Sequence, residues 1–259
     1  MIEISFLGTG GAVAAKERDN ASFIIRQDKI LILVDCPGSV IQKIKKLDFD
    51  PREIQSIFIT HIHPDHVYGL PSFIHSLMLY DCVVDLYGSQ ESIQFCMELL
   101  DLFHLREERI KCKINFVPME AGKKIKIRPS LRCLPLKVPH HSSSLAFKFY
   151  FEDEKKEIIY SGDTPLYSPF FKETQESDCL IHDCSSPSRF FEKYPVLYSM
   201  HTHSIELGQA SKDFGIKCLI PCHFFGELDF SLDEIEKELR RSYKGHLIIP
   251  KDFSRIIIE

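Results

Sequence analysis

One short segment, residues 60–66, constrains the fold and the chemistry of this chain more than any other. It reads Thr-His-Ile-His-Pro-Asp-His. The apolar residues 54–59 before it predict a buried β-strand. After it, helical spacing predicts a shared apolar face made of Leu70, Phe73, Ile74, Leu77 and Met78. The turn between strand and helix therefore holds three imidazoles and a carboxylate, a ligand set that suits zinc, and also iron or manganese.

Alternation along this turn divides the ligands into two pairs. His61 and His63 can point one way, while Asp65 and His66 can reach a second ion beside the first. Pro64 stiffens the turn and does not let a helix continue through it. The alternative is a surface turn that happens to carry histidines, but so dense a cluster favours a metal or catalytic role.

Length and charge bound the remaining possibilities. A chain of 259 residues can bury a core as one large α/β domain or as two small ones. We see no linker, low-complexity tract or repeat, so we predict a single domain over residues 1–259. The formal net charge of −5 gives no broad electrostatic footprint for nucleic acid and leaves room only for a local patch.

The N-terminus and the cysteines indicate the compartment. Residues 1–8 lack a basic region followed by a long apolar core, so they predict no signal peptide, and no apolar run is long enough to cross a bilayer. The nine cysteines are scattered and form no Cys-x-x-Cys pair, which predicts free thiols rather than a disulfide framework. We therefore expect a cytoplasmic protein without a membrane partner.

Two other segments allow a functional reading that we weigh against a structural one. Residues 8–11, Gly-Thr-Gly-Gly, follow the first strand but belong to no dinucleotide fingerprint and lack a Walker lysine, so a phosphate cradle is weakly supported. The basic run over residues 123–128 could bind RNA. Its strict alternation instead predicts that Ile125 and Ile127 face the core while the cations face water.

Three later polar residues repeat the pattern of residue 61. His140, Asp163 and His223 each follow an apolar strand. A lone histidine after a strand is more often a structural residue than a ligand. The joint pattern carries more weight. Strands interleaved with about four or five amphipathic helices predict two sheets packed face to face, and ligands at the ends of such strands converge at one edge of the sandwich.

The order His-x-His-x-Asp-His, then His, then Ser-Gly-Asp-Thr and a late His resembles the metallo-β-lactamase fold hydrolases over almost the whole chain. The resemblance implies an α/β fold, a four-layer αβ/βα sandwich in which two mixed sheets pack face to face with helices outside. It also implies two divalent ions, with Zn²⁺ as the first choice and Mn²⁺ or Fe as alternatives. One ion would be held by His61, His63 and His140, the other by Asp65, His66 and His223, with Asp163 bridging both.

Two details point to a branch of that superfamily. Residues 161–164, Ser-Gly-Asp-Thr, and residues 200–204, Met-His-Thr-His-Ser, resemble the ribonuclease Z and cyclic phosphodiesterase branch. There a histidine before a Ser/Thr-rich helix start assists phosphoester cleavage, which implies a catalytic role for His203, with His201 as the alternative. Asp183 would orient a metal ligand or His203. His141 stays open as an alternative to His140, although the following residues 144–147 favour His140.

The function implied is a dinuclear metal-dependent phosphodiesterase acting on RNA 3′ ends, a cyclic nucleotide or a small cyclic phosphodiester. A metal-bridging hydroxide would attack phosphorus, Asp65 or Asp163 would accept a proton, and His203 would steady the leaving oxygen. Ribonuclease Z enzymes usually carry a substrate-gripping arm as an insertion. Only 23 positions separate His140 from Asp163, which favours a small substrate.

Two other functions remain as alternatives. The same metal site could hydrolyse a carboxylic ester, a lactone or a β-lactam. A non-catalytic metal-binding accessory protein is the second alternative, although the full ligand set argues against it. The resemblance also implies a possible homodimer.

Overall fold

The computed structural model describes residues 1–175 and 177–258. Its strands are β1 (Ile2–Gly8), β2 (Ser22–Gln27), β3 (Ile30–Val34), β4 (Ser56–Phe58), β5 (Val83–Ser89), β6 (Lys113–Met119), β7 (Ile125–Arg128), β8 (Leu131–Lys137), β9 (Leu145–Phe151), β10 (Lys156–Tyr160), β11 (Cys179–Asp183), β12 (Cys218–Cys222), β13 (His246–Leu247) and β14 (Arg255–Ile258). Its α-helices are α1 (Val40–Lys46), α2 (Pro64–Val67), α3 (Leu70–Ser76), α4 (Gln90–Leu102), α5 (Ser168–Glu173), α6 (Ser188–Lys193), α7 (Ser204–Asp213) and α8 (Leu232–Leu239).

The strands form two mixed sheets of seven strands each. The first has the order β14-β1-β2-β3-β4-β5-β6, and the second has the order β13-β12-β11-β10-β9-β8-β7. In the first sheet β3 to β6 run parallel, and in the second β10 to β13 run parallel. The predicted pair of mixed sheets is therefore confirmed.

Both faces of each sheet are apolar, which explains why the sheets pack in four layers. In β2, Phe23 and Ile25 face the other sheet, while Ile24 faces the helices. Phe58 meets Phe147 of the second sheet edge-on, with ring centroids 5.2 Å apart. Each sheet also shares one further core cluster with the helices outside it. Strands buried on both faces are typical of sheets covered by helices.

The structure differs from the sequence prediction in several local elements. The strand predicted over residues 54–59 spans only Ser56–Phe58. Pro64 begins α2 rather than simply stiffening a turn, because the first helical position needs no backbone N–H. Eight α-helices are described instead of four or five, since short helices such as α5 and α6 leave little periodicity in the sequence.

The alternation predicted for the basic run is observed. Ile127 is buried and Ile125 is half-buried against the inter-sheet core, while Lys124 and Lys126 are exposed. The helix α4, with 13 residues, is the longest in the described ranges, and none of the helices there combines the length and the apolar character that a membrane span requires.

The parallel strands set the position of the candidate site. Parallel neighbours end at the same edge of a sheet, so the loops after them come together. In the first sheet Asp35 follows β3 and Thr60 follows β4. In the second sheet Asp163 follows β10 and His223 follows β12. These two edges lie side by side, because the loop after β1 pairs with the loop after β12 through Gly10 and Phe224.

Candidate metal centre

The structure brings the seven predicted ligands into two adjoining groups. Residues that follow β4 contribute His61 and His63, and α2 contributes Asp65 and His66. The second sheet contributes the other three ligands from the loops after β8, β10 and β12, namely His140, Asp163 and His223. Within each group the candidate ligand atoms lie no more than 4.8 Å from one another.

The first group consists of three histidines and one oxygen of Asp163. His63 Nδ1 lies 2.9 Å from His61 Nε2 and 3.1 Å from His140 Nε2. Asp163 Oδ2 lies 3.8 Å from His61 Nε2 and 3.7 Å from His140 Nε2. Zinc bonds of about 2.0–2.2 Å place the ligand atoms of a tetrahedral site about 3.3–3.6 Å apart, so these separations suit one ion.

The second group shares Asp163 with the first. His66 Nε2 lies 3.2 Å from Asp65 Oδ2 and 3.4 Å from Asp163 Oδ1. His223 Nε2 lies 3.4 Å from Asp65 Oδ2 and 3.1 Å from Asp163 Oδ2. The carboxylate of Asp163 therefore stands between the two groups, as expected of a bridging ligand.

Unpaired buried atoms show that these residues fit a cation. His66 Nε2 and Asp163 Oδ1 are buried and have no hydrogen-bond partner within the part of the chain that the structure describes. Leaving such atoms unpaired costs about 1–3 kcal/mol each, and more for a charged group. A divalent ion bound by imidazole nitrogens and carboxylate oxygens would satisfy both atoms.

Hydrogen bonds behind the ligands fix the tautomers of two histidines. His140 Nδ1 donates to the carbonyl oxygen of Met200 at 2.8 Å. His66 Nδ1 donates to Asp35 Oδ2, also at 2.8 Å. In each ring the proton on Nδ1 leaves the lone pair of Nε2 facing the ligand group, as metal binding requires.

Asp35 is a supporting residue that the sequence analysis missed. Its side chain is fully buried, and it accepts hydrogen bonds from the Thr60 N–H at 2.8 Å and from the Thr60 hydroxyl at 3.0 Å, in addition to His66. Asp35 follows the apolar strand β3 directly, so it shows the same pattern as the ligands themselves. That pattern could have identified it.

Burial and neighbouring charges shift the pKa values of the residues in the two ligand groups. Burial lowers the pKa of His61 well below its ordinary value. Burial also disfavours the charged form of His66, but the carboxylates of Asp163, Asp65 and Asp35 outweigh it and raise the pKa of His66 well above that value. Burial acts against the carboxylate of Asp65, yet His66 and His223 lower its pKa. Asp65 and Asp163, whose pKa values are both lowered by neighbouring histidines despite burial, are thus held in the ionised form that binds cations.

His203, for which the sequence predicts a catalytic role, lies outside both ligand groups. It precedes α7 and its Nδ1 accepts a hydrogen bond from the Glu206 N–H at 3.4 Å, which makes it the N-cap of that helix. Its ring packs against Phe191 and Tyr198, with centroids 4.9 and 5.7 Å away. The ring of His203 is thus placed by the cap of α7 and by these two aromatic rings.

His201, the alternative to His203 for the catalytic role, lies beside two candidate ligands. Its ring centroid is 5.0 Å from that of His140 and 5.2 Å from that of His223. Its Nδ1 donates to Asp183 Oδ2 at 2.8 Å. The other oxygen of Asp183 lies 3.7 Å from His223 Nδ1. Asp183 therefore stands behind His201 and the candidate ligand His223, not behind His203.

Of the two adjacent histidines in the loop after β8, only His140 enters a ligand group. The Nδ1 atom of His141 accepts hydrogen bonds from the backbone and hydroxyl of Ser143. Its ring lies beside His63, with centroids 5.2 Å apart.

This chain is similar in sequence and in fold to several known proteins. A ribonuclease Z of Methanosarcina acetivorans is 22% identical in an alignment that covers all of this chain and 98% of the relative. The metallo-β-lactamase fold protein YhfI of Bacillus subtilis superposes with a TM-score of 0.84 at 16% identity, over 98% of both chains. The short form of human tRNase Z superposes with a TM-score of 0.78 at 19% identity, over 99% of both chains.

The fold and the ligand groups define the class of protein, a metal-dependent hydrolase with the metallo-β-lactamase fold. Residues 2–213 match the family model described as Anti-Pycsar protein Apyc1. Because this match covers well over half of the sequence, the chain belongs to that family.

Proposed function

We propose that this chain is a dinuclear metal-dependent phosphodiesterase that acts on a small phosphodiester. The observation that carries the proposal is the pair of ligand groups that share the carboxylate of Asp163. Two ions held a few ångströms apart suit phosphoester cleavage, because one can position the nucleophile while both neutralise charge on the phosphoryl oxygens. The ribonuclease Z relatives, which act on the same type of bond, support the same reaction class.

We propose that each ion has its own ligand group. His61, His63 and His140 would hold one ion, Asp65, His66 and His223 would hold the other, and Asp163 would bridge them. Imidazole and carboxylate ligands favour Zn²⁺, with Mn²⁺ or Fe as alternatives. When bound, such ions supply Lewis-acid activation of water and of the phosphoryl group.

The side chains around the ligands would complete the reaction. Asp65 lies in the second ligand group beside His66 and His223, so its carboxylate is placed to accept a proton from the attacking water. His201 is fixed by Asp183 through its Nδ1, which leaves its Nε2 free to interact with the leaving oxygen. We therefore transfer the role expected of His203 to His201.

A small substrate is favoured over tRNA. The alignment with the ribonuclease Z of Methanosarcina acetivorans extends over 309 positions, whereas this chain has 259 residues, so the relative carries segments that have no counterpart here. Between the candidate ligands His140 and Asp163 this chain has only the β9–β10 hairpin. The net charge of −5 also opposes binding of a long polyanion. A cyclic nucleotide or another small cyclic phosphodiester fits these constraints better.

We also propose a cytoplasmic location for this protein. All nine cysteines are free thiols in the described structure, which supports a reducing cytoplasm. A homodimer is expected from the family resemblance, and light scattering coupled to size-exclusion chromatography would test it.

The test is a metal analysis and an activity screen on one preparation. We expect about two divalent ions per chain by elemental analysis, together with hydrolysis of bis(p-nitrophenyl) phosphate that is lost in Asp163→Asn. Metal-loaded protein that turns over no phosphodiester contradicts the proposal. Turnover of nitrocefin or simple lactones instead would favour an ester, lactone or β-lactam hydrolase. Two bound ions without any turnover would favour an accessory protein.

A further inference from the structure

We propose that His141 is a substrate-contacting residue that donates its Nε2–H to a non-bridging oxygen of the phosphoryl group. This inference rests on the proposed phosphodiesterase function. His141 is not a candidate ligand, yet it is adjacent to one in sequence and its ring lies against His63 in space. It is half-buried, so a bound substrate can reach it.

The loop that carries His141 is held rigidly. The His141 N–H donates to Ser144 Oγ at 3.0 Å, and the Ser144 N–H donates back to the carbonyl oxygen of His141 at 3.0 Å. The Leu145 N–H donates to the carbonyl oxygen of Thr60 at 3.0 Å, which ties the loop to the turn that carries His61. A donor on such a loop is preorganised, as stabilisation of a developing charge requires.

The hydrogen bonds at Nδ1 determine the tautomer. The Ser143 N–H donates to His141 Nδ1 at 3.2 Å, and a backbone N–H can only donate. Ser143 Oγ lies 2.8 Å from the same nitrogen, and it accepts from the Ile62 N–H, so its own proton is available for His141. Because Nδ1 is therefore the acceptor, the neutral ring carries its proton on Nε2.

The Nε2–H of His141 is free to bind a substrate. Among the described residues, His141 Nε2 has no hydrogen-bond partner, while the neighbouring His63 directs its Nδ1 into the first ligand group. The ring of His141 therefore carries an unused N–H donor and lies beside a candidate ligand of the first group. A phosphodiester is an anion with two non-bridging oxygens, which are strong acceptors for such a donor.

Two variants separate this role from metal binding and from packing. His141→Phe keeps a ring but removes the donor, whereas His141→Gln keeps an N–H at a similar distance from the backbone. His75→Phe, at an exposed position on α3, is the matched control. For bis(p-nitrophenyl) phosphate we expect His141→Phe to lower kcat/KM about 10- to 100-fold and His141→Gln to recover part of it, with metal content unchanged in all variants. Unchanged kcat/KM in His141→Phe, or loss of an ion from it, overturns the proposal.

Two measurements do not depend on turnover. Long-range ¹H–¹⁵N correlation spectra of histidine-labelled protein should show the Nε2–H tautomer for His141, and an Nδ1–H tautomer would contradict the inference. Inorganic phosphate should bind metal-loaded wild type about tenfold more tightly than His141→Phe. If wild type hydrolyses no phosphodiester, the proposed function fails, and the phosphate affinities then decide on His141 alone, with equal affinities counting against it.

Discussion

At the scale of single residues, the structure distinguishes the candidate ligands from the side chains that orient them. Asp35 and Asp183 are fully buried carboxylates that hold histidines rather than candidate ions. Residues in such positions fix the tautomer and the orientation of a ligand, and their loss typically costs 10- to 100-fold in metal affinity. Two predictions concern this level.

We predict that Asp35→Asn weakens the binding of one ion by about 10- to 100-fold, because His66 loses the acceptor that keeps its proton on Nδ1. Competitive titration with a chromophoric chelator measures the change. Asp178→Asn is the control, since Asp178 pairs with Lys156 and Lys217 at the opposite end of β11. Equal affinities in Asp35→Asn and wild type would contradict the role given to Asp35.

We predict that His201→Ala lowers kcat on bis(p-nitrophenyl) phosphate by about 100-fold or more with both ions retained, because the leaving oxygen loses its partner. His203→Ala should retain kcat within a few-fold and instead lower the free energy of unfolding by about 0.5–2 kcal/mol, since it removes a helix cap. Stopped assays and urea denaturation measure the two effects. The reverse assignment of the effects would restore His203 as the functional residue.

At the scale of elements, the candidate site depends on close contact between two loops. The Cys36 N–H donates to the carbonyl oxygen of His66 at 2.7 Å, and the Gly69 N–H donates to the carbonyl oxygen of Cys36 at 2.8 Å. The loop after β3 and the helix α2 are therefore bonded to each other directly behind Asp35 and His66. Gly69 permits this approach, because a Cβ there would lie 1.8 Å from the carbonyl oxygen of Pro37.

We predict that Gly69→Ala lowers the free energy of unfolding by about 1–3 kcal/mol, since backbone atoms have to move to admit the methyl group. It should also weaken metal binding, because α2 carries Asp65 and His66. Gly38→Ala is the matched control in the same contact region, where nothing lies within 4 Å of the added Cβ. Urea denaturation of both variants tests this, and similar stabilities would show that the loops can adjust at little cost.

Sequence alone could predict the candidate ligands that the structure brings together, because they follow apolar strands and strand ends are a local signal. The same local signal marks Asp35, but its role could not be predicted, because it arises only when β3 and β4 pair in parallel and bring Asp35 to Thr60. Sequence could not separate His201 from His203 either, because the choice depends on where α7 begins. The short helices α5 and α6 were missed for a related reason, since six residues are too few for a helical period to show.

At the scale of the whole molecule, one apolar core joins the two sheets. It includes Ile2 from the first strand and Ile258 from the last, together with residues of the second sheet such as Phe149 and Ile220. Both ends of the described chain thus contribute to the same core. This supports our proposal that residues 1–259 fold as a single domain.

We predict a single unfolding transition in calorimetry, with a lower Tm after removal of metal by a chelator. A ligand that binds only the folded state at 100 times its Kd adds about 2.7 kcal/mol. For a chain of this size each kcal/mol shifts Tm by about 2–4 °C. Two separate transitions would contradict the single domain, and an unchanged Tm would contradict metal binding by the folded protein.

The division of the ligands between the two sheets has a consequence for how this protein can change. Four candidate ligands extend from the first sheet and three from the second. Two metal ions bridged by Asp163 would therefore link the two sheets of the sandwich. Catalysis and cohesion would then depend on the same bonds. A lineage that lost a ligand would lose stability where the two sheets meet, as well as turnover. Selection for folding alone would therefore slow the loss of the active centre.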